Sequence, residues 1–308
     1  KLTISYEESP SFRGYMQLGV ENTGGKLDCR EQIEYAVEYP DSATKMSWPP
    51  YERLKGTNPW PECQPSLQST TLEYSRRVCE VADIIRDSLC LALQLQPNET
   101  LGPKFTHPTE VPHWVLKLIS YPPANPNDKH TQQGVGAHTD TNFLTLVLQN
   151  DAHSGGTLQA FSQGEWMDVP SHYGSDVLIC NLGEQAETWS RGYFLATPHR
   201  VVMNALKDSD GSNYRPCKDP RISAALFYNP VLSATMDPLS PELFDDNPNL
   251  SWERPKEYQQ WRRENNAFIT SVGENTFKSL ARSHPEVFAT HHPDLRVLED
   301  GRIVRRES

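Results

Sequence analysis

A chain of 308 residues can bury a substantial core in one large domain or two small ones. Its formal net charge of −11 opposes a phosphate backbone, which argues against nucleic acid as a partner and leaves room for a small molecule in a local pocket. No apolar run approaches a membrane span, KLTISYEESP is not a signal peptide, and six scattered cysteines without a C-x-x-C pair favour reduced thiols, so a cytoplasmic monomer is expected.

The opening stretch to about Pro65 is irregular and rich in proline, glycine and aromatic residues (SFRGYMQLG, MSWPPYERLKGTNPWPE), which suits loops and short strands wrapped over a core. From Ser66 to Gln94 the pattern turns helical. Leu72, Val78, Val81, Ile85, Leu89 and Leu93 recur every three or four residues, charged residues lie between them, and Pro97 stands just past the end. This predicts an amphipathic scaffold helix. Between Trp114 and Pro230 the runs are short and β-like (WVLKLISY, FLTLVLQN, TLQAF, DVLICNLG, RISAALFYN), separated by turn signals such as NPND, HSGG and SQGE. Many short strands without intervening helices predict a sandwich or barrel. A helical stretch near Pro255 to Leu280 and a His- and Arg-rich tail follow. The expected organisation is therefore 1–113 as loops plus scaffold helix, 114–230 as a β core and 231–308 as a C-terminal helix and tail, all within one structural domain.

The segment GVGAHTDTNFLTLVLQND carries the chemistry. His138 and Asp140, two residues apart on an extended chain, point to one side, and Gly134 and Gly136 before them permit close backbone approach. His199 in HRVVMN is the best third ligand. Two imidazoles and one carboxylate on one face suit iron(II) with dioxygen and a chelating co-substrate, but zinc accepts the same donors. His107, His113, His130, His153 and His172 read as surface residues, and His284, His291 and His292 as a chance cluster in the tail.

Read in order, KLISYPP, GVGAHTDTNFLTLVLQND, GGTLQAF, GEWMDVP, DVLICNLGEQAETWSRGYFLATPHRVV and RISAALFYNP resemble the isopenicillin N synthase-like branch of the iron(II)- and 2-oxoglutarate-dependent oxygenases. FRGYMQLGVE and NPWPECQP resemble its microbial and fungal members more than its plant ones. The resemblance implies a mainly β fold with flanking helices, built on a distorted double-stranded β-helix (jelly roll). It implies His138, Asp140 and His199 as iron(II) ligands and catalytic residues. Arg221 and Ser223, with support from Tyr121, are implied as the seat of the distal carboxylate of 2-oxoglutarate. Dioxygen is then the second co-substrate, and ascorbate supports assays. Three departures from the family pattern are Lys1, which matches a point well inside it so that a truncated start of the unit is expected, Ile119, where many members have Asn, and a long polar hairpin or loop at ALKDSDGSNYRPCKDP.

The implied activity is oxidation of an unactivated C–H bond of a small amino-acid-derived or carboxylate-bearing metabolite in specialised-metabolite biosynthesis, by hydroxylation, oxidative cyclisation or desaturation. Candidate substrate contacts are Phe143, Gln149, Trp189, Phe194 and Tyr228, with Arg13, Lys117 or Arg191 for a substrate carboxylate. A catalytically silent ligand-binding protein of the same fold is the alternative. A zinc hydrolase has no use for Arg221 and Ser223, and the chain has no H-E-x-x-H motif.

Overall fold

The computed structural model describes residues 4–39, 47–123, 133–150, 157–171, 174, 176–203, 206–207, 214–215, 219–245 and 269–306. His130, His153, His172, Cys217, the NPND and HSGG turns and the 255–268 part of the expected C-terminal helix lie outside these residues.

The scaffold helix runs Ser66–Ala92. Its buried stripe is Thr71, Ser75, Val78, Ala82 and Cys90, spaced three to four residues apart except for one longer step. Val81 belongs to the outer face at 41% exposure, because the stripe passes through its neighbour Ala82. The outer face carries charge pairs one turn apart, Arg76 with Glu73 and Glu80 and Arg77 with Glu73. The helix stops at Gln94, whose φ of 60° turns the chain left-handed while Leu95 N–H donates to Cys90 O at 2.9 Å.

The strands in chain order are β1 (Gly14–Met16), β2 (Asn22–Thr23), β3 (Lys26–Leu27), β4 (Glu31–Ala36), β5 (Trp114–Tyr121), β6 (Gln133–His138), β7 (Leu144–Gln149) and β8 (Thr157–Ser162). They continue with β9 (Glu165–Asp168), β10 (Ile179–Leu182), β11 (His199–Val202), β12 (Leu206–Lys207), β13 (Tyr214–Arg215), β14 (Arg221–Tyr228), β15 (Leu295–Val297) and β16 (Ile303–Arg305). One sheet has the order β1-β4-β5-β14-β7-β10 and the other β6-β11-β8-β9. From β5 to β14 the chain passes back and forth between the two sheets, and neighbouring strands within both pair antiparallel. This is the expected double-stranded β-helix. The expected polar hairpin is present as β12 paired with β13, Leu206 opposite Arg215.

Period-two alternation divides the large sheet into two faces. On β14, Ala224, Leu226 and Tyr228 pack on the scaffold-helix side with Leu116, Leu144 and Leu146, and Arg221, Ser223, Ala225 and Phe227 face the space between the sheets. Between the sheets a small cluster of Ile119, Tyr121, Val135, Val201 and Met203 closes one end. Gly134 is needed there, since a Cβ would meet the Val201 side chain at 2.7 Å and the Tyr121 ring at 3.1 Å.

A second cluster joins the two ends of the chain: Tyr6, Phe12 and Leu54 pack on Phe277, Phe288 and Leu295. The C-terminal helix Val272–Ser283 starts at Ser271, whose Oγ accepts from Glu274 N–H, and Pro285–His291 follows. His292 is buried in this cluster against Phe12, and His284 lies over the Tyr6 ring at 4.6 Å. These two histidines are packed parts of the fold, which corrects their reading as a tail cluster. Among the described residues no helix is long and apolar enough to cross a membrane.

Candidate active site

His138 ends β6 and His199 begins β11, and the two are direct cross-strand partners. Their rings therefore share one face, with centroids 4.3 Å apart. Asp140 follows two residues beyond the strand, and one ligand atom from each of the three side chains lies within 4.8 Å of the other two. Each imidazole is held by its far nitrogen: His138 Nδ1 is 2.9 Å from Gly136 O and His199 Nδ1 is 3.0 Å from Thr197 O. A carbonyl only accepts, so Nδ1 carries the proton and the Nε2 lone pairs are free for a metal.

Asp140 is fixed in the same manner. Its Oδ2 accepts from Thr145 Oγ1 at 2.6 Å and Asn181 Nδ2 at 2.8 Å. Its Oδ1 lies 3.7 Å from His138 Nε2 and 3.8 Å from His199 Nε2. Burial would raise this carboxyl, but the two histidines and the two hydrogen bonds outweigh it and hold its pKa below the usual carboxylate range. Burial, reinforced by His199, pushes His138 down to about 4 and keeps it neutral. An outer-braced imidazole pair beside an ionised carboxylate is a donor set ready for a divalent cation.

The triad borders two cavities. The inner one, about 350 Å³, lies between the sheets and is lined by Tyr121, Thr145, Asn181, Arg221, Ser223 and Phe227 among others. Arg221 is 4% exposed, lies over the Tyr121 ring at 4.8 Å and donates from Nη2 to Gln149 Oε1 at 2.6 Å. Its Nη1 is buried without an acceptor among the described residues. An unsatisfied buried guanidinium N–H is costly, and a ligand carboxylate is the group that relieves it. The outer cavity, about 430 Å³, opens between the N-terminal segment and the C-terminal helix, and His138 and Asp140 line it too.

The aromatic candidates are elsewhere. Phe143, Trp189 and Tyr228 are buried in the main core, with Phe194 packed against it. For Tyr228 the reason is parity, since an even position on β14 faces away from Arg221 and Ser223. It stacks on Phe105 at 5.1 Å and donates to Asp83 of the scaffold helix at 2.5 Å. Its odd neighbour Phe227 faces both cavities and was missed. Gln149 braces Arg221 and lines neither cavity. Arg191 is exposed, donates to Leu239 O and lines neither cavity. Arg13 borders the outer cavity, yet its guanidinium is largely spent on Gly56 O (2.7 Å) and Leu54 O (3.0 Å). Lys117 lines the outer cavity and pairs with Glu34 at 2.6 Å. Arg30 and Glu34, from a segment without a recognisable motif, also went unpredicted.

The Phe143→Ala protein is therefore expected to lose about 3–5 kcal/mol of stability, the usual cost of emptying a buried aromatic site, with ligand affinity in the inner cavity changed less than twofold. Urea unfolding and ligand titration of the folded variant measure the two separately. A large change in affinity with little loss of stability would return Phe143 to the pocket wall.

His113, read as a surface residue, is 3% exposed where β14 and the Pro230 turn close over it, and its Nδ1 has no partner among the described residues. Burial first, and then the charges of Arg13 and Lys55, push its pKa down to about 3. The folded state thus binds its proton later than the unfolded chain, in which histidine titrates near ~6.5. Stability from this group is complete above that value and falls as pH drops from about 6.5 towards 3, by about 1.4 kcal/mol per unit. Wild type should lose about 2 kcal/mol more between pH 7 and pH 5 than His113→Gln does, read from urea midpoints at each pH. Parallel losses in the two proteins would show that His113 is not the source.

Comparison with known proteins agrees with this geometry. Residues 112–230 match the 2OG-Fe(II) oxygenase superfamily, and residues 1–63 match the N-terminal region described as non-haem dioxygenase in morphine synthesis. The chain is 30% identical over 263 residues to a homoarginine-6-hydroxylase of Glycine max, covering 82% of this chain and 73% of that one. It is 26% identical to a 2-oxoglutarate-dependent dioxygenase of Gibberella zeae, covering 97% and 76%. Its fold is similar to that of a full-length Neurospora crassa protein crystallised with α-ketoglutarate and thymine, with a TM-score of 0.63, 21% identity and coverage of 92% and 77%.

Proposed function

The chain belongs to the 2OG-Fe(II) oxygenase superfamily, and from that premise we propose that it oxidises an unactivated C–H bond of a small, amino-acid-derived or carboxylate-bearing metabolite. Iron(II) with 2-oxoglutarate and dioxygen supplies the oxidising power, 2-oxoglutarate leaving as succinate and carbon dioxide. The residues do the holding. His138, Asp140 and His199 would bind the iron, with Thr145 and Asn181 fixing the Asp140 carboxylate. Arg221 and Ser223 would bind the distal carboxylate of 2-oxoglutarate, Tyr121 lying under the guanidinium and Gln149 setting its rotation. The observation that carries this reading is the unpartnered, buried Arg221 Nη1 in the same cavity as all three ligand atoms.

We read the chain as a fungal-type member of the isopenicillin N synthase-like branch acting in specialised metabolism; the Gibberella zeae relative, aligned over 97% of the chain, supports the fungal part of that reading. The relative named homoarginine-6-hydroxylase supports an amino-acid-derived substrate. Free thiols at Cys63, Cys79, Cys90 and Cys180 support a reducing, cytoplasmic setting, and we take the chain as a monomer. Hydroxylation, ring closure and desaturation remain alternatives for the fate of the substrate, because placement of its C–H bond decides among them.

Incubation with iron(II), ascorbate, 2-oxoglutarate and candidate metabolites in air is expected to release succinate and carbon dioxide in equal amounts, raised by the true substrate. Release of neither, from protein that binds iron, would sink the reading.

A further inference from the structure

The outer cavity holds charge that the metal and 2-oxoglutarate do not use. Besides Asp140 and Arg13, the latter held on backbone carbonyls, the lining shared with His138 carries Glu21, Arg30, Glu34 and Lys117. Arg30 Nη2 pairs with Glu21 Oε2 at 2.7 Å, and Lys117 Nζ pairs with Glu34 Oε1 at 2.6 Å. Register places the second pair, since Glu34 on β4 is the direct partner of Lys117 on β5. His284 from the end of the C-terminal helix reaches Glu21 Oε1 at 3.4 Å, so both chain ends close on the cluster.

With Arg13 and the Arg30 partner Asp28 counted, three cations and three carboxylates balance. Desolvating one net charge here would be costly, and an apolar ligand would cover ionised groups without replacing their water. A ligand with one positive and one negative group costs least. Arg30 is the group most ready for it. It is 9% exposed, its Nε is buried without an acceptor among the described residues, and it lies on the wall shared by the outer and inner cavities. The neighbouring Asp28 also pairs with Arg30 Nη2, at 3.4 Å, while its oxygens accept from Thr23, Gln133 and Gly136 N–H.

We infer that this cavity is the substrate site and that it takes a free, zwitterionic amino acid, its carboxylate on Arg30 and its ammonium on Glu34. This rests on the oxygenase reading for the identity of the metal beside it. The volume of about 430 Å³ suits a molecule of that size. Arg30 and Glu34 then set specificity, and the rest of the substrate is free to extend towards the triad.

The test is calorimetric binding under argon, with iron(II) and 2-oxoglutarate present, of L-arginine, L-homoarginine, L-lysine, L-leucine and L-phenylalanine, each compared with its N-acetyl and carboxamide derivatives. At least one free amino acid should bind tenfold or more tightly than both of its derivatives. Arg30→Gln should remove the preference over the carboxamide, and Glu34→Gln the preference over the N-acetyl form. The proposal is overturned if no free amino acid of the panel binds, if the derivatives bind as tightly, or if folded variants weaken all three forms equally, as a purely structural ion-pair cluster would. The visible absorption of bound 2-oxoglutarate, read on the same samples, scores the oxygenase reading independently of these affinities.

Discussion

Replacing His138 with Ala abolishes succinate formation, with turnover down by three orders of magnitude or more at iron(II) concentrations that saturate the wild type. Losing a partner that merely orients a ligand costs about 10–100-fold in metal affinity or activity, and losing the ligand itself should exceed that. What is left would be one imidazole and the Asp140 carboxylate, without the second nitrogen on the same face. The fold should survive. His138 ends its strand with 35% of its side chain exposed, and the substitution removes a group whose charged form burial already disfavours. Iron binding measured by calorimetry and turnover measured by succinate release should fall together, with urea stability of the metal-free protein nearly unchanged. Full activity would remove His138 from the ligand set.

Arg221→Met leaves iron binding intact and raises the concentration of 2-oxoglutarate needed for half-maximal turnover by about 10²–10³-fold. The magnitude follows from truncating one member of a buried charge pair, about 2–5 kcal/mol, where about 1.4 kcal/mol is tenfold. The guanidinium is 4% exposed and held by Gln149 and the Tyr121 face, so it is preorganised and little of its binding energy goes into ordering it. Arg221→Lys should recover only part of the loss, since an ammonium offers no planar fork. Titration of 2-oxoglutarate against succinate release checks both. A rise below threefold in Arg221→Met would place the distal carboxylate elsewhere.

His138 and Asp140 were legible as a pair because two-residue spacing on an extended chain sets direction, whereas the roles of Arg221 and Ser223 were legible only through the ordered family motifs around them. The same rule, applied to β14, would have moved the substrate assignment from Tyr228 to Phe227, since only odd positions share the face of Arg221 and Ser223. On the scaffold helix a one-residue error placed Val81 inside in place of Ala82, whose small side chain carries almost no hydrophobic signal. His113, His284 and His292 were misjudged from polar neighbours in sequence, when their burial comes from packing between segments far apart in the chain. Glu21, Arg30 and Glu34 were invisible for the same reason: β4 acquires its meaning only when paired with β5, some eighty residues later.

The most direct test of the whole account is an anaerobic titration of the iron(II)-loaded protein with 2-oxoglutarate, followed by its visible absorption. A weak charge-transfer band that grows to one equivalent, disappears in His138→Ala and shifts to much higher 2-oxoglutarate concentration in Arg221→Met is the predicted result. A protein that binds iron(II) at the triad yet develops no band at saturating 2-oxoglutarate would contradict it.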